Sequence, residues 1–296
     1  MIMSWLKAVC LFPIHFTLQM LNLGWWASLI VLVGLLKLLS PVTRVTRLLN
    51  ALNARFEIAF GVTSTFLIKL FNRIELDLHI EGELSEQNWY LITANHRSYL
   101  DIILLIGLAK GRYPAPKFFL KKELIWLPFV GLGAWALDMP FMQRHSRAAI
   151  AKRPELKGQD IATTQAVCEK YRTTPTTIIN FVEGTRFTPT KHASKQSPYT
   201  HLLPPKAAGI AFTLAAMGDL FTHMLDISIL YPQNTRWPMM DMLCGNMKSI
   251  VIDVKVQSVS PQMLGDYQGN QQFRDAFREQ LNTRWAEKDA RITQFL

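Results

Sequence analysis

Three patterns in this chain predict an α/β fold: a mixed β-sheet flanked by helices, preceded by an apolar membrane-anchoring helix or helical hairpin. Short β-branched or alternating runs recur between helical segments, the order that builds a layered sheet. Some of the connections are too short for crossover helices, which makes the sheet mixed rather than all-parallel. Ahead of these runs, Leu21 to Leu39 carries Lys37 as its only formal charge.

That apolar segment narrowly meets the ~20 residues needed to cross a hydrocarbon core of about 30 Å. The preceding run, Trp5 to Met20, is shorter and is interrupted by Pro13 and His15. One crossing and a hairpin of two short helices both fit. Trp25 and Trp26 suit the headgroup level. Lys37, Arg44, Arg47 and Arg55 follow the apolar region against Lys7 before it, so the positive-inside rule places the rest of the chain in the cytoplasm. A cleaved leader is disfavoured, because no basic cluster opens the chain and no small-x-small site follows. The expected division is an anchor over 1–42 and a catalytic domain over 43–296.

After Pro41, Val45 to Asn72 reads as a long helix. Glu75 to Glu81 alternates strictly, as a half-buried strand does, and Trp89 to Ala94 reads as a buried strand leading into a helix over Tyr99 to Leu108. Lys117 to Leu120 and Met139 to Met142 are short strands around the apolar stretch Leu124 to Leu137. Gln159 to Arg172 is a polar-faced helix, and Thr176 to Val182 a β-branched central strand. Thr188 to Pro205 is expected to be a loop and Lys206 to Met217 a small-residue helix. Asp226 to Tyr231 and Ser249 to Val256 are strands. From Asn270 the chain is helical, with Phe273, Phe277, Leu281 and Trp285 four apart on a core face.

The 296 residues are 49% apolar, with a formal net charge of +10 and a pI near 9.6. Such a surface attracts anionic lipid, nucleic acid or acidic small molecules. Beside an anchor, lipid and acidic substrates are the expected partners; no helix-turn-helix or aromatic RNA-binding motif supports nucleic acid. Cys10, Cys168 and Cys244 have no metal-ligand spacing, so buried reduced thiols and no metal site are expected.

Two segments carry the chemistry. Asn95-His96-Arg97-Ser98-Tyr99-Leu100-Asp101 follows one strand, and Phe181-Val182-Glu183-Gly184-Thr185-Arg186 ends another. The carboxyl ends of strands are where open α/β sheets bind ligands. With His96 just before a helix, Ser98 as its N-cap and Asp101 in its first turn, Asp101 meets one ring nitrogen and leaves the other to take a proton. A capping histidine beside an aspartate stabilised by the helix dipole satisfies the same pattern. Gly184 permits a turn from which Glu183 and Arg186 project, and a guanidinium fork suits phosphate oxygens. A surface turn with an ion pair is the plain alternative. Lys121, Lys122, Arg144 and Lys206 are further anion candidates. No Gly-x-Ser-x-Gly elbow is present, so direct attack by a substrate hydroxyl is favoured over an acyl-enzyme. Backbone N–H groups at the helix start after His96 are a candidate oxyanion site.

These segments resemble the glycerolipid acyltransferases, the lysophosphatidic acid acyltransferase group, and most nearly its bacterial YihG-type members. The family pattern Asn-His-x-Ser-x-x-Asp matches at Asn95 to Asp101, and Pro/Val-Glu-Gly-Thr-Arg at Val182 to Arg186. Lys121-Lys122-Glu123 through Pro128 and Gly131 to Arg144 resembles the second block, Ile227 to Pro232 the fourth, and Leu202 to Lys206 the lysine-bearing segment. Val182 stands where proline is usual, and Arg147 to Gly158 lengthens the interval between blocks. The resemblance implies transfer of an acyl chain from a coenzyme A or acyl carrier protein thioester to lysophosphatidate at the bacterial inner membrane, in phospholipid biosynthesis, without a cofactor. His96 and Asp101 would be catalytic; Glu183, Gly184, Thr185, Arg186 and Arg144 would hold phosphate and glycerol. Another lysophospholipid acceptor, or a non-catalytic basic membrane adaptor, would share the charge and the anchor.

Overall fold

The computed structural model describes residues 2–142 and 168–296. Helix α1 (Ile2–Leu39) runs unbroken through Pro13, which forfeits one intrahelical hydrogen bond without ending the helix. The short hairpin within this segment does not form. Helix α2 (Thr43–Asn72) instead folds back along α1. The two helices meet through a polar seam on α1. Gln19 Nε2 donates to the Ser64 carbonyl at 3.2 Å, Asn22 Nδ2 to Ser64 Oγ at 2.8 Å and Trp26 Nε1 to Thr63 Oγ1 at 3.2 Å. The opposite side of α1 exposes Val9, Phe16, Leu21, Trp25, Leu32 and Leu36. A helix with polar groups inward and apolar groups outward suits an apolar surrounding, and Ala8–Leu39 is long and apolar enough to cross a membrane.

The main sheet has six strands: β1 (Leu76–Glu81), β2 (Tyr90–Ala94), β3 (Pro116–Phe118), β6 (Thr177–Phe181), β7 (His223–Leu230) and β8 (Ile250–Ser258). Their order is β1-β8-β7-β2-β6-β3. β7, β2, β6 and β3 are parallel, β8 is antiparallel to β7, and β1 is parallel to β8, so the sheet is mixed as expected. A separate two-stranded sheet joins β4 (Leu120–Lys121) to β5 (Phe141–Met142). Between them lie a 3-10 turn (Lys122–Trp126) and α4 (Val130–Ala136). Trp126, Leu127, Phe129 and Leu132 are exposed there, and α4 packs on α1.

Helices cover both faces. On one, α3 (Leu100–Leu108) packs beneath α2, and the approach is so close that a Cβ on Gly61 would lie 2.4 Å from the Gly107 nitrogen. On the other lie α6 (Ala207–Met217) and α8 (Gln271–Thr293), with Phe277, Leu281 and Trp285 buried as the four-residue spacing requires. Two elements depart from the sequence expectation. The Thr188 to Pro205 segment contains α5 (Pro189–Ser194), started by Thr188 Oγ1 accepting from the Lys191 N–H at 3.2 Å. A short α7 (Pro238–Leu243) was not foreseen. Both begin at proline, the residue whose missing N–H and fixed φ suit the first helical position. Of the helix expected over Gln159 to Arg172, only the end from residue 168 lies among the described residues, and the Arg147 to Gly158 stretch lies outside them.

Candidate active site

His96 and Arg186 stand at the carboxyl ends of the adjacent parallel strands β2 and β6. Asn95 extends β2 toward β7 with its side chain, donating to the Ile229 carbonyl at 3.0 Å and accepting the Ile229 N–H at 2.8 Å. An amide is the side chain able to do both at once. His96 is then held on every side. Its carbonyl accepts the Phe187 N–H at 2.7 Å, and its ring stacks on Phe181 with centroids 4.0 Å apart.

His96 Nδ1–H donates to Asp101 Oδ2 at 2.8 Å. Asp101 is wholly buried, and the same oxygen accepts the Arg97 and Ser98 N–H groups at 2.7 and 2.9 Å. Its other oxygen accepts from the Tyr231 hydroxyl at 2.6 Å. Burial and the facing carboxylate both raise the Tyr231 pKa, so the phenol stays a donor. Four donors thus define one carboxylate, and a carboxylate can only accept, so the histidine carries its proton on Nδ1. Nε2 makes no hydrogen bond among the described residues, and the side chain keeps 13% of its surface open.

The capping role expected of Ser98 is present: its Oγ accepts the Leu100 N–H at 3.3 Å, ahead of Tyr99, whose φ of −62° and ψ of −21° are already helical. One expectation is corrected here. The Arg97 and Ser98 N–H groups are occupied by Asp101 and therefore do not form an oxyanion site.

The turn after β6 follows the glycine expectation: Gly184 has φ of +63°, a left-handed conformation natural to glycine. A Cβ there would lie 2.8 Å from Lys206 Cδ, so the lysine side chain lies directly against the turn. Lys206 N–H donates to the Val182 carbonyl at 2.8 Å, and Val182 N–H to the Ala94 carbonyl at 3.1 Å. Valine at this position therefore keeps a bond between β6 and β2 that a proline lacks the hydrogen to make. Thr185 and Arg186 are fixed by Lys191, whose ammonium donates to Thr185 Oγ1 at 2.8 Å and to the Arg186 carbonyl at 2.9 Å. The Arg186 guanidinium lies 3.9 Å over the exposed Tyr99 ring, on the helix start that follows His96. The two motifs share one rim.

Glu183 does not project beside Arg186. It turns inward, is 1% exposed, and accepts the His96 N–H at 3.4 Å. Burial pushes its carboxyl up to about 7 from an ordinary value of 4.5, offset in part by the N–H groups of His96 and Leu203 and by Arg97 and Lys288. The folded chain therefore holds this proton over a range where the unfolded chain has lost it. Its contribution to stability is present below about pH 4.5 and disappears as pH rises through about 7. Glu183→Gln is expected to flatten the fall in Tm between about pH 5 and 8, by up to about 3 kcal/mol of differential stability. Thermal unfolding at several pH values measures this, and an unchanged slope would remove Glu183 from the account.

Lys121 and Lys122 are exposed on β4 and the following 3-10 turn, outside the six-stranded sheet. Arg144 lies outside the described residues. Among the described residues no group of three His, Cys, Asp or Glu side chains is placed to hold a metal. Tyr231 and Lys191 were not singled out from sequence. Tyr231 stood within the fourth block without a role, and Lys191 was hidden in the unrecognised α5, whose Thr-Pro start was the available signal.

A family model described as Acyltransferase matches residues 75–230, more than half of the chain. Among curated proteins, 1-acyl-sn-glycerol-3-phosphate acyltransferase 3 of Arabidopsis thaliana is 24% identical over 204 residues, covering 63% of this chain and 51% of that protein. The corresponding acyltransferase 2 of Brassica napus is 24% identical over 182 residues, covering 57% and 44%. The chain thus spans about half the length of these relatives. Among solved structures, the 1-acyl-sn-glycerophosphate acyltransferase PlsC of Thermotoga maritima superposes with a TM-score of 0.52 at 18% identity, covering 94% of this chain and 97% of that one. At that identity the likeness is one of fold. The matched segment contains both motifs of the rim, and this chain belongs to the acyltransferase family.

Proposed function

We propose that this protein is a 1-acyl-sn-glycerol-3-phosphate O-acyltransferase of phospholipid biosynthesis, drawing its acyl chain from a coenzyme A or acyl carrier protein thioester. The observation that carries this reading is the Asp101-held His96, with Nε2 open on the rim that bears Arg186. The names of the curated relatives support the same acceptor.

In this mechanism Nε2 takes the proton of the acceptor's free hydroxyl as its oxygen attacks the thioester carbonyl. The carbon–sulfur bond then breaks, and the departing thiolate takes the proton from the imidazolium. Asp101 holds the reactive tautomer and stabilises the transient imidazolium. Arg186, with Thr185 and Lys206 at the same turn, meets the acceptor phosphate; Glu183 holds the His96 backbone rather than the substrate. Arg144 is assigned to the phosphate on the family resemblance. The outward apolar face of α1 anchors residues 1–42 in a bacterial inner membrane with the catalytic domain, 43–296, on the cytoplasmic side. An adaptor without catalysis has no need of four donors on one buried carboxylate.

Acyl transfer by the purified protein tests the reading. Labelled oleoyl-CoA, or the acyl carrier protein thioester, is offered with lysophosphatidate, lysophosphatidylcholine or lysophosphatidylglycerol. Product from lysophosphatidate is expected; product from another acceptor alone would change the substrate, and none at all would favour the adaptor. Arg186→Lys is expected to raise KM for lysophosphatidate about tenfold with little change in kcat. The lysine keeps the charge but loses the planar fork and the stack on Tyr99. An unaltered KM would move phosphate binding elsewhere.

A further inference from the structure

A cleft that shares no lining residue with the rim of His96 and Arg186 opens between the carboxyl-terminal half of α2, the end of α3 and strand β1. Its volume is about 650 Å³, within the range of about 300–1,000 Å³ usual for small-ligand sites. The bed is apolar, formed by Val62, Leu76, Leu78, Leu104 and Leu108, and Phe66 and Leu70 stand at it with 62% and 56% of their surface exposed. Four cations line the same cleft: Lys69, Arg73, Lys110 and Arg112. The one acid there, Glu75, is already paired with Lys69.

Arg112 donates to the Leu108 and Lys110 carbonyls, while Arg73 and Lys110 form no ion pair among the described residues. Arg73 is also held in a left-handed backbone, φ 56° and ψ 45°, where its N–H caps α2 at the Lys69 carbonyl. A side chain other than glycine sits there at a cost of about 1 kcal/mol. An apolar bed with an uncompensated cationic mouth is complementary to one chemistry: a hydrocarbon chain ending in an anion.

We infer that this cleft is a lipid site separate from the catalytic rim, taking one acyl chain on Leu104 and Leu108 and its phosphate-bearing headgroup on Arg73 and Lys110. The occupant is a membrane phospholipid of net negative charge, or its single-chain form. α2 carries the exposed Phe66 and Leu70 and packs along α1, whose outward side is apolar, so the cleft is built on the same helix pair. The inference stands independently of the acyl-transfer reading.

Native mass spectrometry of the full chain, released from a neutral detergent, tests it with lysophosphatidylglycerol, zwitterionic lysophosphatidylcholine and inorganic phosphate as separate probes. Lysophosphatidylglycerol is expected to be retained at least about tenfold more tightly than lysophosphatidylcholine, and phosphate alone not at all. The double variant Arg73→Glu/Lys110→Glu is expected to lose that retention while acyl transfer proceeds at the unaltered rate. Both positions are exposed, and circular dichroism verifies that the variant folds. Leu70→Glu, at the edge of the bed, is expected to weaken retention as well. Equal retention of the two lipids, or retention unchanged by the double variant, would overturn the site. Absence of acyl transfer with charge-selective retention intact would overturn the catalytic reading alone.

Discussion

His96→Ala is expected to lower kcat/KM for acyl transfer by about 10²–10⁴-fold, the usual worth of a positioned general base, with the fold and membrane association retained. On the proposed mechanism the loss falls on kcat, because the ring takes the proton only as the hydroxyl attacks. Removing the ring opens space beside Phe181 but leaves no unpaired buried charge, since the Asp101 carboxylate keeps the Arg97, Ser98 and Tyr231 donors. The variant is therefore expected to unfold close to the native midpoint. Steady-state rates with both substrates varied, read beside a thermal melt, provide the check. Full activity in a folded variant would dismiss the base assignment.

Asp101→Asn is expected to cost nearly as much activity and, unlike the first change, to cost stability. An amide has one acceptor oxygen and one donor nitrogen. With its NH2 toward His96, it meets the Arg97 and Ser98 N–H groups; with its NH2 toward Tyr231, the hydroxyl must turn to accept, and its own hydrogen loses the Asp101 acceptor. A buried donor left without an acceptor costs about 1–3 kcal/mol. With the oxygen toward Tyr231, the histidine is pushed to the other tautomer and its base nitrogen becomes a donor. Asp101→Asn should thus lower both Tm and kcat, and a mild effect on kcat would reduce Asp101 to a helix-stabilising residue. Tyr231→Phe separates the two contributions, because it removes one donor and leaves the Nδ1 proton in place.

The elements of the catalytic sheet were legible because each strand carries its own local signal. The strict alternation at Glu75 to Glu81, the compact run ending at Ala94 and the β-branched run before Phe181 all became strands within a residue or two of their expected ends. The His96 to Asp101 contact was also legible, being a relation between residues five apart. Contacts made at long range were not. Nothing local to Tyr231 announces that its hydroxyl meets a carboxylate 130 positions earlier. Glu183 was misplaced for a related reason: alternation past the end of β6 does not say which side of a turn is dry. The N–H groups of Arg97 and Ser98 looked available because a sequence shows a helix start but not the acceptor already bound to it.

The clamp on the first motif has a consequence for how the protein is made. Asn95 waits for Ile229, Asp101 for Tyr231, and the carbonyl of Thr93 for Lys288, a separation of 195 residues. At about 5–20 residues per second, roughly 10–40 s pass between synthesis of the histidine strand and arrival of its last support. Through that interval α1 and α2 have long since left the ribosome, while His96 and Asp101, already close enough in sequence to meet, lack the distant groups that fix the strand and the carboxylate. The order of synthesis thus leaves the rim unassembled until α8 has been made.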